Sequence, residues 1–500
     1  MRDILSNAML LRRDRIAVID KGISYTYDAI LADVESLHRR VRHLSGNHIL
    51  VLAERSYASV ALYAYSVVKG CTLAPVSPNI DRRSLDRLLT ELPVKFIYAD
   101  RSATAQRPFV QTSGYPVLVN DSDGELAACS LLPAAADRGR SASPEDSRCP
   151  DLYLIFTSGS TGNPKGVKVS ERHLLAYLQG VQQAFGLAGT DVISHISPLT
   201  FDFSIHEIFL ALFNGATVAV LRENDKFRFT EYLTRNRVTV WSSVPSTLGY
   251  MIKTRQLKPG QYPDLRLAFV GGEPVSVDYL RAFAQAAPNA TIYSYYGPTE
   301  CTVAMMACRF QPQFDYGQYM PLGESFGGHR MLLKSADQPL REQGTGEAYI
   351  AGPQVLSQYW NNPGQSAARF SHHPEYGYLF KTGDIVSRDE HGVYHFMGRE
   401  DDDIKIGGYR FDTVACRQFI KEISRADEVL VTAARRGPGS ELQELLVITA
   451  NSALSSGQLA RLFRDSYDNY IQPRFYNVAA FPRNANGKID KKKLLERFAR

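Results

Sequence analysis

Tyr153-Leu-Ile-Phe-Thr-Ser-Gly-Ser-Thr-Gly-Asn-Pro-Lys-Gly-Val167 decides how the rest of the chain is read, because an apolar strand-like run ends abruptly in glycine, serine, threonine and lysine. The pattern is that of a strand feeding a phosphate-binding loop. Gly159, Gly162 and Gly166 can take positive φ without steric cost, so successive backbone N–H groups can converge on an anion. Thr157, Ser158, Ser160 and Thr161 add hydroxyl donors, and Lys165 adds charge. A flexible Gly/Ser linker explains neither the apolar run directly before the loop nor the lysine between Pro164 and Gly166. Nor is this the loop of ordinary ATPases, in which GxxxxGK[ST] puts a glycine before the lysine; Pro164 stands there instead.

The chain around this stretch has 500 residues, too many for one core, so at least two domains are expected, and 44% hydrophobic content can fill them. A net charge of +5 is mild over this length, and Lys488 with Lys491, Lys492 and Lys493 forms the one basic cluster, so nucleic acid is not an expected partner. The first 20 residues mix Arg12, Arg13, Asp14 and Arg15 into their apolar positions and lack a signal-peptide core. No later run is long and apolar enough to span a bilayer, so no membrane partner is expected. The 6 cysteines show no CxxC spacing and suit a reducing compartment, which makes the cytoplasm the expected location. His391 and His395 flank Gly392 in a turn and lack further ligands at metal-site spacing.

Read in order, the chain alternates strand and helix as in an α/β protein. Short strands flank the turn at Lys21-Gly22, and Thr26 is placed to cap a helix running to Leu44. A strand over 49–52, a helix over 56–69 and a strand over 70–76 follow, with an exposed loop expected over 127–150. Beyond the phosphate loop come a helix over 171–185 and a strand over 192–197, which delivers the chain to Phe201-Asp-Phe-Ser-Ile-His-Glu-Ile-Phe209. Asp202 or Ser204 stands at the start of that helix, where either suits an N-cap. Strands over 238–242 and 265–270 follow, the second ending at Gly271-Gly-Glu-Pro274, where Gly271 and Gly272 would let a flat ligand lie against the backbone. A strand over 292–296 closes in Tyr296-Gly-Pro-Thr-Glu300, which gathers an aromatic ring, a hydroxyl and a carboxylate within one turn, suited to adenine, phosphate and Mg²⁺. From 320 to 394 short strands with Gly and Pro punctuation suggest a β-barrel-like subdomain, which carries Lys381-Thr-Gly-Asp384. The charged, glycine-containing link Gly398-Arg-Glu-Asp-Asp-Asp-Ile-Lys-Ile-Gly-Gly-Tyr-Arg410 reads as a boundary, giving domains 1–400 and 401–500. The second is expected to hold helices over 413–424 and 455–466 and strands near 427–434 and 444–450.

These motifs, in this order over nearly the whole chain, resemble the adenylate-forming superfamily of acyl-CoA synthetases, luciferases and nonribosomal-peptide adenylation domains. The resemblance implies an α/β fold: a large N-terminal domain of αβ-layered sheets with a β-barrel-like subdomain, and a small mobile α+β C-terminal domain. It implies that the loop from Thr157 to Lys165 holds the phosphates of ATP and that Gly271, Gly272, Glu273 and Tyr296 contact the nucleotide. Thr299 and Glu300 are catalytic by the same resemblance, with Glu300 binding Mg²⁺, Asp384 binding both ribose hydroxyls and Arg399 touching the nucleotide. Asp401 becomes the hinge, and Lys488, between Gly487 and Ile489, the catalytic lysine. One departure lies at Phe411-Asp-Thr-Val-Ala-Cys-Arg-Gln-Phe419, where relatives carry a glutamate-rich segment, and it bears on how the small domain docks on a carrier.

In amino-acid-activating members the aspartate at the position of Asp202 pairs with the substrate α-ammonium, which argues for an amino acid over a fatty or aryl acid. Carried over residue by residue, the substrate pocket comprises Asp202, Phe203, His206, Ser242, Phe269, Gly271, Tyr295, Val303 and Ala304 and implies a small or polar side chain. His206 reads equally as a packed wall residue or a substrate contact. The implied reaction is ATP-dependent formation of aminoacyl-AMP with release of pyrophosphate, then transfer to the phosphopantetheine thiol of a separate peptidyl or acyl carrier protein. With no carrier segment after residue 490 and no condensation domain before residue 1, the reading is a free-standing adenylation enzyme or a D-alanine–carrier protein ligase. The alternatives are an acyl-CoA synthetase, against which Asp202 argues, and an inactive binding protein on the same fold, against which Lys165, Glu300, Asp384 and Lys488 argue.

Overall fold

The computed structural model describes residues 2–120, 126, 129–132, 151–157, 165–225, 227–335, 339–399, 404–406, 409–411, 413–435, 443–466, 471, 473–482 and 491–498. Ser158 to Pro164 of the phosphate loop, Asp401, Gly407, Gly408 and Lys488 lie outside the described residues. The local signals of the sequence act where they were read. Thr26 accepts a hydrogen bond from Ala29 N and starts the helix Tyr27–Val41. Ser56 and Ser59 form a reciprocal capping box for Tyr57–Lys69, which stops at Gly70 with φ +73°. The helix Glu171–Phe185 has the bounds that its apolar period predicts.

Two large sheets result. One has seven strands in the order Ser130–Leu132, Val117–Asn120, Val94–Asp100, His48–Leu52, Thr72–Pro75, Asp151–Thr157 and Lys165–Ser170. The other has nine: Glu324–Ser325, Met306–Arg309, Thr291–Tyr296, Leu267–Gly271, Val240–Ser243, Val192–His195, Thr217–Val220, Ile16–Asp20 and Ile23–Thr26. The inner strands of both pair in parallel. Tyr57–Lys69, Glu171–Phe185 and Phe203–Asn214 share one apolar core with residues of both sheets; the first and third are nearly apolar all round and deeply buried, whereas Glu171–Phe185 buries one face. Asp20 pins this arrangement from the end of its strand. It receives two hydrogen bonds from Arg222, at 2.7 and 2.6 Å, and one from Tyr57 N at 2.8 Å.

The expected loop over 127–150 is corrected within its described part: Ser130–Leu132 is a strand, paired antiparallel with Val117–Asn120. Three residues are too few to register a period in sequence, and their strand state comes from the neighbour that they extend.

After the nine-stranded sheet the chain builds an antiparallel sheet from Arg330–Lys334, Gly344–Ala351, Gly377–Arg388 and Phe370–His373. Tyr394–Arg399 joins it along Gly377–Arg388, setting Asp384 opposite Arg399. Beyond residue 400, Ile404–Ile406 pairs with Tyr409–Phe411. Glu428–Arg435, Gln443–Ala450 and Arg474–Val478 form a three-stranded sheet. Thr413–Ser424 packs on its first strand and Ser456–Ser466 on its last. Among the described residues, the apolar clusters of this part contain nothing from before Ile406. No described helix is long and apolar enough to cross a membrane.

Candidate active site

In open α/β sheets ligands bind outside the carboxyl ends of parallel strands. Here those ends converge on a cavity of about 110 Å³. Asp151–Thr157 delivers Thr157, Leu267–Gly271 is followed by Gly272, and Thr291–Tyr296 delivers Tyr295, then Thr299 and Glu300. Val192–His195 leads to Thr200 and Asp202, while the antiparallel sheet brings Thr382, Asp384 and Arg399 to the opposite rim.

Asp202 occupies the N-cap position of Phe203–Asn214, yet its side chain makes no capping bond; with φ −66° and ψ −16° its backbone is already helical. Its carbonyl accepts from Ile205 N and His206 N, and the residue lines the cavity, 96% buried. Phe203 beside it stacks on Phe201 with ring centroids 5.5 Å apart, and both rings line the cavity.

One layer deeper, His206 is fully buried and bonded at both ring nitrogens, Nδ1 to Tyr177 Oη at 2.5 Å and Nε2 to Ser242 Oγ at 3.0 Å. Tyr177 Oη also meets Tyr295 Oη at 3.2 Å. Burial lowers the imidazole to about 3, so it is neutral. Tyr295 stacks on Phe326 at 5.6 Å, and Phe269 packs edge-on to His206 at 5.1 Å. His206, Ser242 and Phe269 therefore support the cavity wall from behind, whereas Asp202, Phe203, Tyr295, Val303 and Ala304 form its surface. Of the two roles open to His206, the structure shows the packed one: its Nε2 and the Ser242 hydroxyl are turned to each other.

At the rim, Asp384 Oδ2 accepts from Tyr296 Oη at 2.5 Å, and Oδ1 accepts from Arg399, whose guanidinium also reaches Thr382 O at 3.2 Å. Burial and the neighbouring Asp384 charge push the Tyr296 phenol well above its ordinary range. Glu300 is buried in the 3₁₀ turn Thr299–Cys301, and its Oε1 accepts from Tyr359 Oη at 2.7 Å. The Tyr359 ring centroid lies 5.3 Å from Lys165 Nζ, so this tyrosine contacts both the ammonium and the carboxylate. Lys165 opens its strand directly opposite Thr157. Thr157 Oγ1 is buried without a hydrogen-bond partner among the described residues. Glu300, Thr157 and Thr299 offer the hard oxygen donors that suit Mg²⁺, an ion usually held by few protein ligands and the substrate's phosphates.

Two predicted nucleotide contacts, Gly271 and Glu273, also have structural roles. A Cβ on Gly271 would fall 2.1 Å from Tyr295 O, so this glycine is required for strand packing. Glu273 Oε2 accepts from Ser246 N at 3.1 Å in the first turn of Pro245–Lys253. Sequence reading missed Thr200, Phe201, Gly297, Pro298 and Thr382 on the cavity wall, and Tyr359 behind it. Thr200 adjoins, and the next four lie inside, motifs that it did find; Tyr359 gave no local signal, because its partner Glu300 is 59 residues away.

The geometry is that of a nucleotide-handling α/β enzyme, and comparison with known proteins assigns the family. Residues 6–360 match the AMP-binding enzyme model, and the chain belongs to that family. It is 26% identical to the L-proline–[L-prolyl-carrier protein] ligase of Pseudomonas fluorescens, over 95% of this chain and 94% of that protein. It is 28% identical to syringomycin synthase SyrB1 of Pseudomonas syringae pv. syringae, over 99% of this chain and 81% of that protein. In fold it is similar to the Vibrio cholerae adenylation domain AlmE, solved in complex with glycyl-adenosine-5'-phosphate. The TM-score is 0.80 at 24% identity, covering 100% of this chain and 97% of that one.

Proposed function

We propose that this chain is an AMP-forming ligase that activates a small amino acid with ATP and passes the aminoacyl group to the thiol of a carrier protein. The observation that carries the reading is Asp202: a buried carboxylate at a helix start that makes no capping bond and lines the cavity shared by Glu300 and Asp384. An α-ammonium beside that carboxylate would form a charge-assisted hydrogen bond, which a fatty or aryl acid cannot offer. The names of the relatives, a prolyl-carrier ligase among them, point the same way.

In the first half-reaction the amino-acid carboxylate oxygen attacks the α-phosphorus of ATP, the bond to the β,γ-diphosphate breaks, and aminoacyl-AMP and pyrophosphate form. Asp202 anchors the ammonium, which points the carboxylate at the nucleotide, and fixing both reactants in one cavity lowers the barrier through proximity. Asp384, with two acceptor oxygens on the rim, takes the ribose hydroxyls, Arg399 steadies it, and the Tyr296 ring lies beside the base. Thr157 and Lys165, with Ser158, Gly159, Ser160, Thr161 and Gly162 between them, receive the departing phosphates. Glu300 and the Thr299 hydroxyl would hold Mg²⁺, which neutralises phosphate charge when bound. Lys488, outside the described residues, supplies an ammonium at the reacting centre. In the second half-reaction a carrier thiol attacks the acyl carbon, AMP leaves, and a thioester forms.

We also propose domains 1–400 and 401–500 with a hinge at Asp401, a division supported by the separate apolar clusters after residue 400. Phe203, Tyr295, Val303 and Ala304 limit the space for a side chain, and the polar groups behind them bond to one another, which favours a small, apolar side chain. An ATP–pyrophosphate exchange panel tests the reading. Exchange should be fastest with small aliphatic amino acids; a best rate with phenylalanine, tryptophan or a carboxylic acid lacking the amine would overturn it.

A further inference from the structure

The cavity wall at Val303 and Ala304 is held in a backbone conformation that its sequence disfavours. Thr302 has φ +57° and Val303 φ +71°, two consecutive β-branched residues in the left-handed region. β-branched residues adopt that region only where their surroundings impose it. The loop is also pressed from the cavity side, since a Cβ on Gly297 would fall 2.3 Å from Ala304 Cα.

What imposes the conformation lies on the other side. Gln354, fully buried, directs Nε2 at three carbonyls of the loop: Cys301 O at 3.1 Å, Thr302 O at 3.3 Å and Ala304 O at 3.0 Å. Three acceptors around one end of the side chain require that end to be the amide donor. Thr302 Oγ1 returns a bond to Gln354 O at 2.9 Å. Two residues on, Leu356 N donates to Glu300 O at 3.1 Å, so the segment from Gln354 grips the turn at both ends.

We propose that Gln354 is a specificity-positioning residue: its carboxamide holds the left-handed loop 301–304 against the cavity and thereby fixes the pocket wall that limits the substrate side chain. The inference rests on the amino-acid pocket proposed above. Gln354 lines no part of the cavity and reaches substrate only through Val303 and Ala304. Without its donors the loop relaxes, and the wall retreats while the nucleotide end stays in place.

The test is ATP–pyrophosphate exchange with the full chain, comparing wild type with Gln354→Met, which keeps length and loses the donors, and Thr302→Val, which loses only the return bond. Gln354→Met should raise the amino-acid KM about tenfold and cut discrimination against the next larger side chain by a similar factor, with the ATP KM within about twofold. Thr302→Val should move the same two quantities by about threefold. If Gln354→Met does not fold, Thr302→Val decides alone. An unchanged amino-acid KM and selectivity in a folded variant, or equal losses for amino acid and ATP, overturns the inference and leaves the pocket reading standing. Wild-type protein that exchanges with no amino acid overturns both.

Discussion

Asp202 and His206 lie within one turn of the same helix, yet one belongs to the front of the pocket wall and the other to its back. At the front, the Asp202 side chain makes no capping bond and the residue lines the cavity, and the Thr157 hydroxyl has no partner among the described residues. At the back, both nitrogens of His206 are bonded, and Tyr177 links His206 to Tyr295. A buried hydroxyl such as that of Thr157 costs free energy unless a ligand completes its hydrogen bonding. The contrast teaches that residue type does not separate the two layers. A histidine on a substrate-pocket motif is bonded at both nitrogens behind the wall, and an aspartate that sits where a cap belongs lines the cavity.

Substitutions sharpen that contrast in order of expected effect. The largest should come from a residue of neither layer. Lys488→Ala should slow pyrophosphate exchange by about 10²–10³-fold through lost positioning and charge stabilisation, while transfer from a supplied aminoacyl-AMP to a carrier thiol survives. Comparable loss of both half-reactions would assign Lys488 a structural or docking role instead.

The back layer should answer to pH. His206 titrates at about 3 in the folded chain against an ordinary value near 6.5, because burial disfavours its charged form. Below pH 6.5 the unfolded chain takes up a proton that the folded one refuses until about pH 3. Stability from this group is therefore complete above 6.5 and falls by about 1.4 kcal/mol per pH unit between those values. His206→Gln should flatten the loss of thermal stability between pH 7 and pH 5 relative to wild type. An identical pH dependence in the two proteins would contradict the buried, neutral assignment.

The smallest effect is expected from Ser242→Ala, which leaves His206 Nε2 without its partner at a cost of about 1–3 kcal/mol. Because Ser242 stands behind the wall, the amino-acid KM should change by less than about threefold while the melting temperature falls. A large KM change with unaltered melting would move Ser242 to the front.

Much of this was legible in the sequence where the signal is local. The Thr26 cap, the helix over 171–185, and the strand that ends at Tyr296-Gly-Pro-Thr-Glu300 each follow from neighbours within a few residues. Asp202, Glu300, Asp384 and Arg399 do meet in one cavity, because the first two follow strand ends that the fold brings there and the last two face each other across the antiparallel sheet. The division into front and back was not legible. His206 is withdrawn from the cavity by Tyr177 and Ser242, 29 and 36 residues away, and no period or spacing encodes which way a ring turns between them. Gln354 and Tyr359 escaped for the same reason, since the side-chain hydrogen bonds that tie them to the turn at 300–304 span some fifty residues or more. The three-residue strand Ser130–Leu132 depends on its neighbour in the sheet alone.

The central claim, that Asp202 selects an amino acid by its ammonium, is tested most directly by one ratio. The specificity constant in pyrophosphate exchange should be measured for the preferred amino acid and for the same acid without its amine, in wild type and in Asp202→Asn. The account predicts a strong preference for the amino acid in wild type and its collapse in the variant, by about 2–5 kcal/mol in the amino-acid term, with the ATP KM preserved. A ratio that is unchanged by the substitution would contradict it.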